Sequence, residues 1–228
     1  RSWQFIEQFA DQWLDLGAVQ RVAINPNYYP KFDDVLKTSM RQESLHFFKE
    51  IFQKDLSALN FLDSEFTMLN EPLAKHYGLT GPRGSSFERV ALNPKDHRGG
   101  VLTHGSILLG NSTGEDSHPV KRAVWIRERL LDDPPSDPPP NVPNLDSTNP
   151  DFANLSVRDQ LAAHREEPSC KDCHRGIDPW GVPLGKFNAV GLWQETSSVR
   201  QVSKTKGGKN TVGVPVDASS VLPDGTRI

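Results

Sequence analysis

Cysteine, methionine and tyrosine are scarce in this chain of 228 residues, with two, two and three copies. Two cysteines are too few for the disulfide framework that stabilises small secreted domains. No apolar run reaches the length of a bilayer-spanning helix, so we expect no membrane span in this segment. The net charge of -3 lacks the basic excess of a nucleic-acid-binding surface, so we expect no nucleic-acid partner. No glycine-rich phosphate loop and no internal repeat is present.

Apolar residues at helical spacing dominate the remaining pattern and predict a mainly α fold. The predicted elements are helices over residues 3–16, 33–53, 56–62, 71–77, 119–131 and 156–165, a helical stretch ending near residue 109, a strand over 87–92, and a hairpin from 194–199 and 211–216. Long loops join them. The predicted architecture is therefore an irregular helical domain with a small β-hairpin near the C-terminus. The first and last residues both look cut from a longer chain.

A proline-rich segment divides the sequence. Seven of the eighteen residues in 133–150 are proline, which predicts an extended, polyproline-like strap without regular hydrogen bonding. Val142 and Leu145 would attach this strap to the surface. We predict a helical N-terminal part over residues 1–95 and a second part over 96–228 that contains the strap.

Both cysteines belong to one motif, Cys170-Lys171-Asp172-Cys173-His174. The C-x-x-C-H pattern is typical of covalent attachment of a c-type haem. On a helical turn, positions i, i+3 and i+4 share a face, so two thioether bonds and one axial imidazole can reach the same porphyrin. The motif predicts one haem c, bound through Cys170 and Cys173, with His174 as the proximal iron ligand.

Three other uses of these residues stay open. Two cysteines and a histidine can hold zinc in a binding scaffold, although a closed zinc site needs a fourth ligand and no second pair follows at matching spacing. A thioredoxin-like redox pair lacks the βαβ context of that fold. The third use is a pair of structural thiols.

Further residues are candidates for the surroundings of the haem. Trp180 and Phe187 follow the motif and would pack on the porphyrin, or else in an ordinary core. Arg122 would pair with a propionate, because arginine binds carboxylates bidentately. For the distal iron ligand the candidates are Met40 and then His118, each with an ordinary structural role as its alternative.

Beyond the motif itself, much of the chain resembles the secreted planctomycete-type cytochrome proteins that are built from several domains of unknown function. The resemblance rests on Cys170–Gly181, Phe187–Trp193, Arg98–Thr103, Ser117–Trp125, Thr67–Tyr77 and Phe9–Leu14. It implies a mostly helical fold that encloses one c-type haem, in a protein exported from the cytoplasm. It implies little about activity.

The expected function is single-electron transfer to a redox partner protein or to an adjoining domain of the parent chain. The alternative is a haem enzyme or ligand-binding sensor with an open distal site, and a scaffold role is a further one. We expect an electron-transfer module rather than a catalyst. Haem attachment is coupled to export, so we expect a periplasmic or extracellular location.

Overall fold

A computed structural model describes residues 2–136, 155, 157–165, 168–202 and 209–228. The α-helices are α1 (Ser2–Leu14), α2 (Ala18–Arg21), α3 (Asp34–Gln53), α4 (Glu71–Tyr77), α5 (Gly105–Gly110), α6 (Pro119–Arg129), α7 (Val157–His164) and α8 (Pro168–Gly181). The strands are β1 (Phe66–Leu69), β2 (Glu88–Ala91), β3 (Thr196–Val202) and β4 (Lys209–Pro215), which form two antiparallel pairs, β1-β2 and β3-β4. The prediction of a mainly α fold is confirmed, and the C-terminal hairpin is present.

The chain forms two compact units. Unit 1 contains Arg1–His118 together with the short segment Phe187–Trp193, and unit 2 contains Pro119–Lys186 and Gln194–Ile228. The predicted boundary between residues 95 and 96 rests on the sequence pattern. The two units, in contrast, are defined by contacts between residues in space. The division into 1–95 and 96–228 stays a prediction about domains.

Unit 1 is built around α3. The helix begins where the Asp33 side chain accepts a hydrogen bond from the Leu36 backbone N–H, a typical N-cap. The helices α1, α2, α4 and α5 and the strand β1 pack against α3. The core that results contains Val19, Met40, Leu69, Leu73, Ala74 and Leu109.

Helix α4 begins and ends where the sequence predicts. Asn70 caps its start by accepting a hydrogen bond from the Leu73 N–H, and Pro72 stands in the first turn. Gly78 closes it in the left-handed conformation, with φ of 71°. Local side-chain chemistry is therefore enough to define this helix.

Strand β1 is absent from the predicted elements. All four of its residues are buried, so the alternation that indicates a half-exposed strand does not occur. Its partner β2 runs antiparallel to it, with Phe66 opposite Ala91 and Leu69 opposite Glu88. The predicted strand over 87–92 matches β2.

Unit 2 consists of α6, α7, α8 and the hairpin of β3 and β4, in which Thr196 lies opposite Pro215 and Val202 opposite Lys209. Helices α6 and α8 pack against each other. Helix α8 includes Pro179 in its last turn and ends at Gly181.

Most of the predicted strap lies outside the described residues, which stop at residue 136 and resume at residue 155. Val142 and Leu145 fall in that gap. Among the helices that the structure describes, none combines the length and the apolarity that crossing a bilayer requires.

Candidate haem-attachment site

The cysteine motif lies within the continuous helix α8, so the spacing of its residues determines where their side chains lie around the helix. Cys170, Cys173 and His174 occupy positions i, i+3 and i+4 of that helix and share one side of it. Cys170 is buried and Cys173 is exposed, and neither forms a disulfide. The motif therefore runs from the packed side of α8 to its solvent edge.

His174 is held by a carboxylate one turn further along α8. Its Nδ1 lies 2.8 Å from Oδ1 of Asp178. An ionised carboxylate only accepts hydrogen bonds, so Nδ1 carries the proton and donates it. In the neutral imidazole the lone pair then belongs to Nε2, the nitrogen that faces away from Asp178 and is suited to coordinate a metal.

Asp178 itself is fully buried. Oδ2, its second carboxylate oxygen, accepts no hydrogen bond within the part of the chain that the structure describes. The guanidinium of Arg165 lies close to this oxygen, with Nη1 3.6 Å from Oδ2, and its side chain is 36% exposed. A buried carboxylate is costly unless it is paired and hydrogen-bonded, so His174 and Arg165 together stabilise its charge.

Two arginines of the neighbouring helix α6 have different roles in unit 2. Arg122 is fully buried and donates a hydrogen bond of 2.5 Å from Nη1 to the carbonyl oxygen of Leu184. Arg127 pairs with Asp133 through a 2.7 Å contact between Nη2 and Oδ2. Its guanidinium also lies next to the backbone of Gly176 on α8. The assignment of Arg122 to a haem propionate stays a prediction.

Trp180 shares α8 with the motif and is half-buried. It follows Cys173 by seven residues, which places both on the same face of the helix. Trp180 is thus the one predicted pocket residue that the fold sets on the same helix face as a motif cysteine.

The other predicted site residues belong to unit 1. Phe187 is buried and meets the ring of Trp193 edge to face, with ring centroids 5.2 Å apart. Met40 is fully buried in the core of α3 and α5, and His118 directly precedes α6. Whether Met40 or His118 ligates the iron stays a prediction.

The cysteines and histidine of α8 were also candidates for a zinc site. Among the described residues, no group of three or more His, Cys, Asp or Glu side chains is arranged to hold an ion. A closed zinc site needs four protein ligands. A porphyrin brings four nitrogens of its own, so a haem would need fewer protein ligands than a closed zinc site does.

A separate polar network is buried in unit 1. Glu43 accepts hydrogen bonds from the Thr67 hydroxyl at 2.8 Å and from the Tyr77 hydroxyl at 2.7 Å. The Tyr77 oxygen in turn accepts from the Gly105 N–H at 2.8 Å. Burial, reinforced by the Glu43 charge, raises the pKa of Tyr77 well above its usual value. These bonds join α3, β1, α4 and α5 through polar rather than apolar contacts.

A buried histidine lies beside that network. His104 Nδ1 and Ser44 Oγ are joined by a 3.0 Å hydrogen bond, and Ser44 is bonded to Ser106 at 2.7 Å. Burial lowers the pKa of His104, although the Glu43 charge opposes the effect. His104 therefore favours the neutral form in the folded protein.

Asp178 and Arg165 are absent from the predicted site residues. Asp178 follows His174 by four residues, the spacing at which helical side chains meet, so the i,i+4 pair was detectable once the motif was assigned to a helix. Arg165 precedes α8, and its approach to Asp178 depends on tertiary packing that no local pattern reports.

Two family matches cover most of the chain. Residues 98–197 match PSCyt3, described as a protein of unknown function (DUF1588). Residues 1–79 match PSD4, described as a protein of unknown function (DUF1592). No curated protein and no solved structure matches the chain. The chain therefore combines segments similar to two different domain families, each of unknown function, which agrees in part with the resemblance drawn from the sequence.

Proposed function

We propose that this chain is a c-type cytochrome module that carries one haem on helix α8. The observation that carries the proposal is the shared face of Cys170, Cys173 and His174, together with the Asp178 hydrogen bond that leaves the lone pair on Nε2. The family name PSCyt3 is consistent with a cytochrome-related domain.

Each motif residue has a distinct role in this proposal. Cys170 and Cys173 attach the porphyrin by thioether bonds, and His174 Nε2 is the proximal ligand. When bound, haem c supplies a one-electron couple between ferric and ferrous iron. Helix α8 fixes the spacing of the three side chains, and α6 packs against it on the protein side.

We propose single-electron transfer rather than catalysis as the activity. One cofactor motif is present, and the sequence has no second cofactor signature or catalytic cluster. One haem holds one electron, so a redox partner protein or an adjoining domain of the parent chain must accept it. Since thioether attachment is coupled to export, the proposal also places the mature protein in the periplasm or outside the cell.

Haem retention after acid-acetone extraction tests covalent attachment. The chain is co-expressed with a haem-maturation system, and the extracted protein is examined by its reduced absorption spectrum. We expect a c-type α-band that stays with the polypeptide. The variant Cys173→Ser should shift that band towards the form with one thioether bond, and the double variant with Cys170→Ser should release the haem. Absence of haem from the extracted wild-type protein would overturn the proposal.

The distal position decides between electron transfer and ligand binding. A thioether charge-transfer band in the ferric protein supports methionine ligation and electron transfer, and Met40→Leu should then abolish it. If Met40→Leu leaves that band unchanged, Met68→Leu tests the other methionine, and a low-spin ferric spectrum without the band directs the test to His118→Ala. A high-spin spectrum that responds to carbon monoxide would contradict the electron-transfer proposal and favour an open site.

A further inference from the structure

We infer that Asp178 is a positioning residue for His174 that also lowers the reduction potential of the haem. The inference rests on the proposed function and adds a residue that the C-x-x-C-H motif does not contain. It starts from one contact, the 2.8 Å hydrogen bond between His174 Nδ1 and Asp178 Oδ1.

The first consequence is orientation. A carboxylate at Nδ1 selects a single tautomer, with the proton on Nδ1 and the lone pair on Nε2. The bond also fixes the rotation of the imidazole ring, because both side chains extend from one rigid helix at i and i+4. His174 therefore has the tautomer and the ring orientation that axial ligation requires before any haem is bound.

The second consequence is electronic. A ligating histidine that donates its other N–H to a carboxylate becomes a more basic ligand than one bonded to a neutral carbonyl. A more electron-rich imidazole stabilises ferric iron more than ferrous iron, because the ferric ion carries the larger charge. Asp178 therefore shifts the equilibrium towards the oxidised state, which lowers the reduction potential.

Burial strengthens this effect. The Asp178 side chain is 1% exposed, and solvent screens its charge little. The Arg165 guanidinium offsets part of the charge from 3.6 Å, beyond hydrogen-bonding distance to Oδ2. Of the Asp178 contacts in the described part of the chain, the one with the imidazole is therefore shorter than the one with Arg165.

The variant Asp178→Asn tests the inference in the intact, haem-loaded chain. The amide oxygen still accepts the Nδ1 hydrogen bond, but the negative charge is gone. We expect a shift of about tenfold in the ferric/ferrous equilibrium towards ferrous, which corresponds to a rise of about 59 mV for one electron. Asp172→Asn is the matched control, because it removes an equal charge from an exposed position inside the same motif. Its potential should move far less.

The outcomes separate the inference from the proposed function. If the wild-type chain holds no covalent haem, both fail. If haem is held and the Asp178→Asn and Asp172→Asn proteins have equal potentials, the inference fails while the cytochrome assignment stands. A difference in the expected direction supports both.

A measurement on the unaltered chain keeps the test decisive if Asp178→Asn does not fold. Nitrogen-15 NMR of the reduced, histidine-labelled protein reports whether His174 Nδ1 carries a proton and how fast that proton exchanges. We expect a proton that exchanges slowly, since its acceptor is buried. An unprotonated Nδ1, or exchange as fast as that of an exposed imidazole, would overturn the inference.

Discussion

Gly181 and Pro119 meet backbone to backbone in unit 2. A Cβ atom built on Gly181 overlaps the carbonyl oxygen of Pro119 and comes within 3.0 Å of the Ala123 Cβ. Because backbone atoms cannot move aside as a flexible side chain can, only glycine lets the end of α8 lie this close to the start of α6.

The variant Gly181→Ala should therefore destabilise the pairing of α6 and α8. We expect a loss of about 1–3 kcal/mol, the usual cost of forcing an extra carbon into a packed interior. Hydrogen exchange followed by mass spectrometry measures the loss locally, as faster exchange of the α6 and α8 amides.

Gly176→Ala is the matched control for that experiment. It lies on the same helix, and its added Cβ makes only an ordinary contact, 3.7 Å from Arg127 Nη1. Alanine is the better helix former by about 1 kcal/mol, so exchange should slow or stay constant. Equal acceleration by both alanines would contradict the close approach at Gly181.

Replacement of Glu43 by glutamine should destabilise unit 1. Two hydroxyl groups, from Thr67 and Tyr77, donate to the Glu43 carboxylate. The amide of Glu43→Gln places a second donor against one of them, and a buried unsatisfied donor costs about 1–3 kcal/mol. Urea unfolding should show a lower midpoint.

Glu50→Gln on the same helix provides the comparison. Glu50 pairs with Arg89 at 3.6 Å in a partly exposed ion pair, and such pairs contribute about 0–1 kcal/mol. A midpoint that falls as far for Glu50→Gln as for Glu43→Gln would show that the buried network has no special weight.

The stability of the protein should fall as the pH drops below about 6.5, the ordinary pKa of histidine. Burial lowers the pKa of His104 in the folded state, so the unfolded chain takes up a proton first as the pH falls. The contribution is complete above pH 6.5 and disappears towards the lowered pKa, with a slope of at most about 1.4 kcal/mol per pH unit for one proton. The pKa of His76 is also lowered by burial and adds to the slope.

His104→Gln should reduce that slope, measured as the free energy of unfolding between pH 7 and pH 5. His97→Gln serves as the control, because it replaces a histidine at an exposed position. The assignment fails if the two variants show the same dependence on pH.

Arg165→Gln should move the haem potential in the direction opposite to Asp178→Asn. Without the guanidinium near Oδ2, more of the Asp178 charge acts on the His174 imidazole, and the ferric state gains stability. The expected result is a lower potential in a spectroelectrochemical titration.

Arg175→Gln removes an equal charge from an exposed position on α8 and controls for long-range electrostatics. A potential that falls equally in the Arg165 and Arg175 variants would indicate that charge alone, without the contact to Asp178, sets the effect.

Local chemistry explains which parts of the fold were predictable. Helix α4 follows from Asn70 and Gly78, whose capping roles depend only on neighbouring residues. The motif helix follows from the spacing of Cys170, Cys173 and His174. Strand β1 was missed because Phe66–Leu69 is buried on both faces, so its pattern lacks a period.

Contacts between residues that are distant in the sequence explain why other features of the fold and the site were not predicted. The pairing of Arg165 with Asp178 spans a segment whose local pattern does not report it. Pro179 lies in the last turn of α8, which continues to Gly181. The assignment of Phe187–Trp193 to unit 1 depends on contacts with distant residues, including the hydrogen bond from Arg98 to the Gly191 carbonyl.

The segment Phe187–Trp193 places part of unit 1 inside the sequence of unit 2. The chain enters unit 2 after His118, returns to unit 1 at Phe187 and enters unit 2 again at Gln194. The matched segment over residues 98–197 contains pieces of both units and the whole of neither. A fragment that encodes all of unit 1 must therefore also encode Pro119–Lys186, whereas residues 119–228 encode all of unit 2.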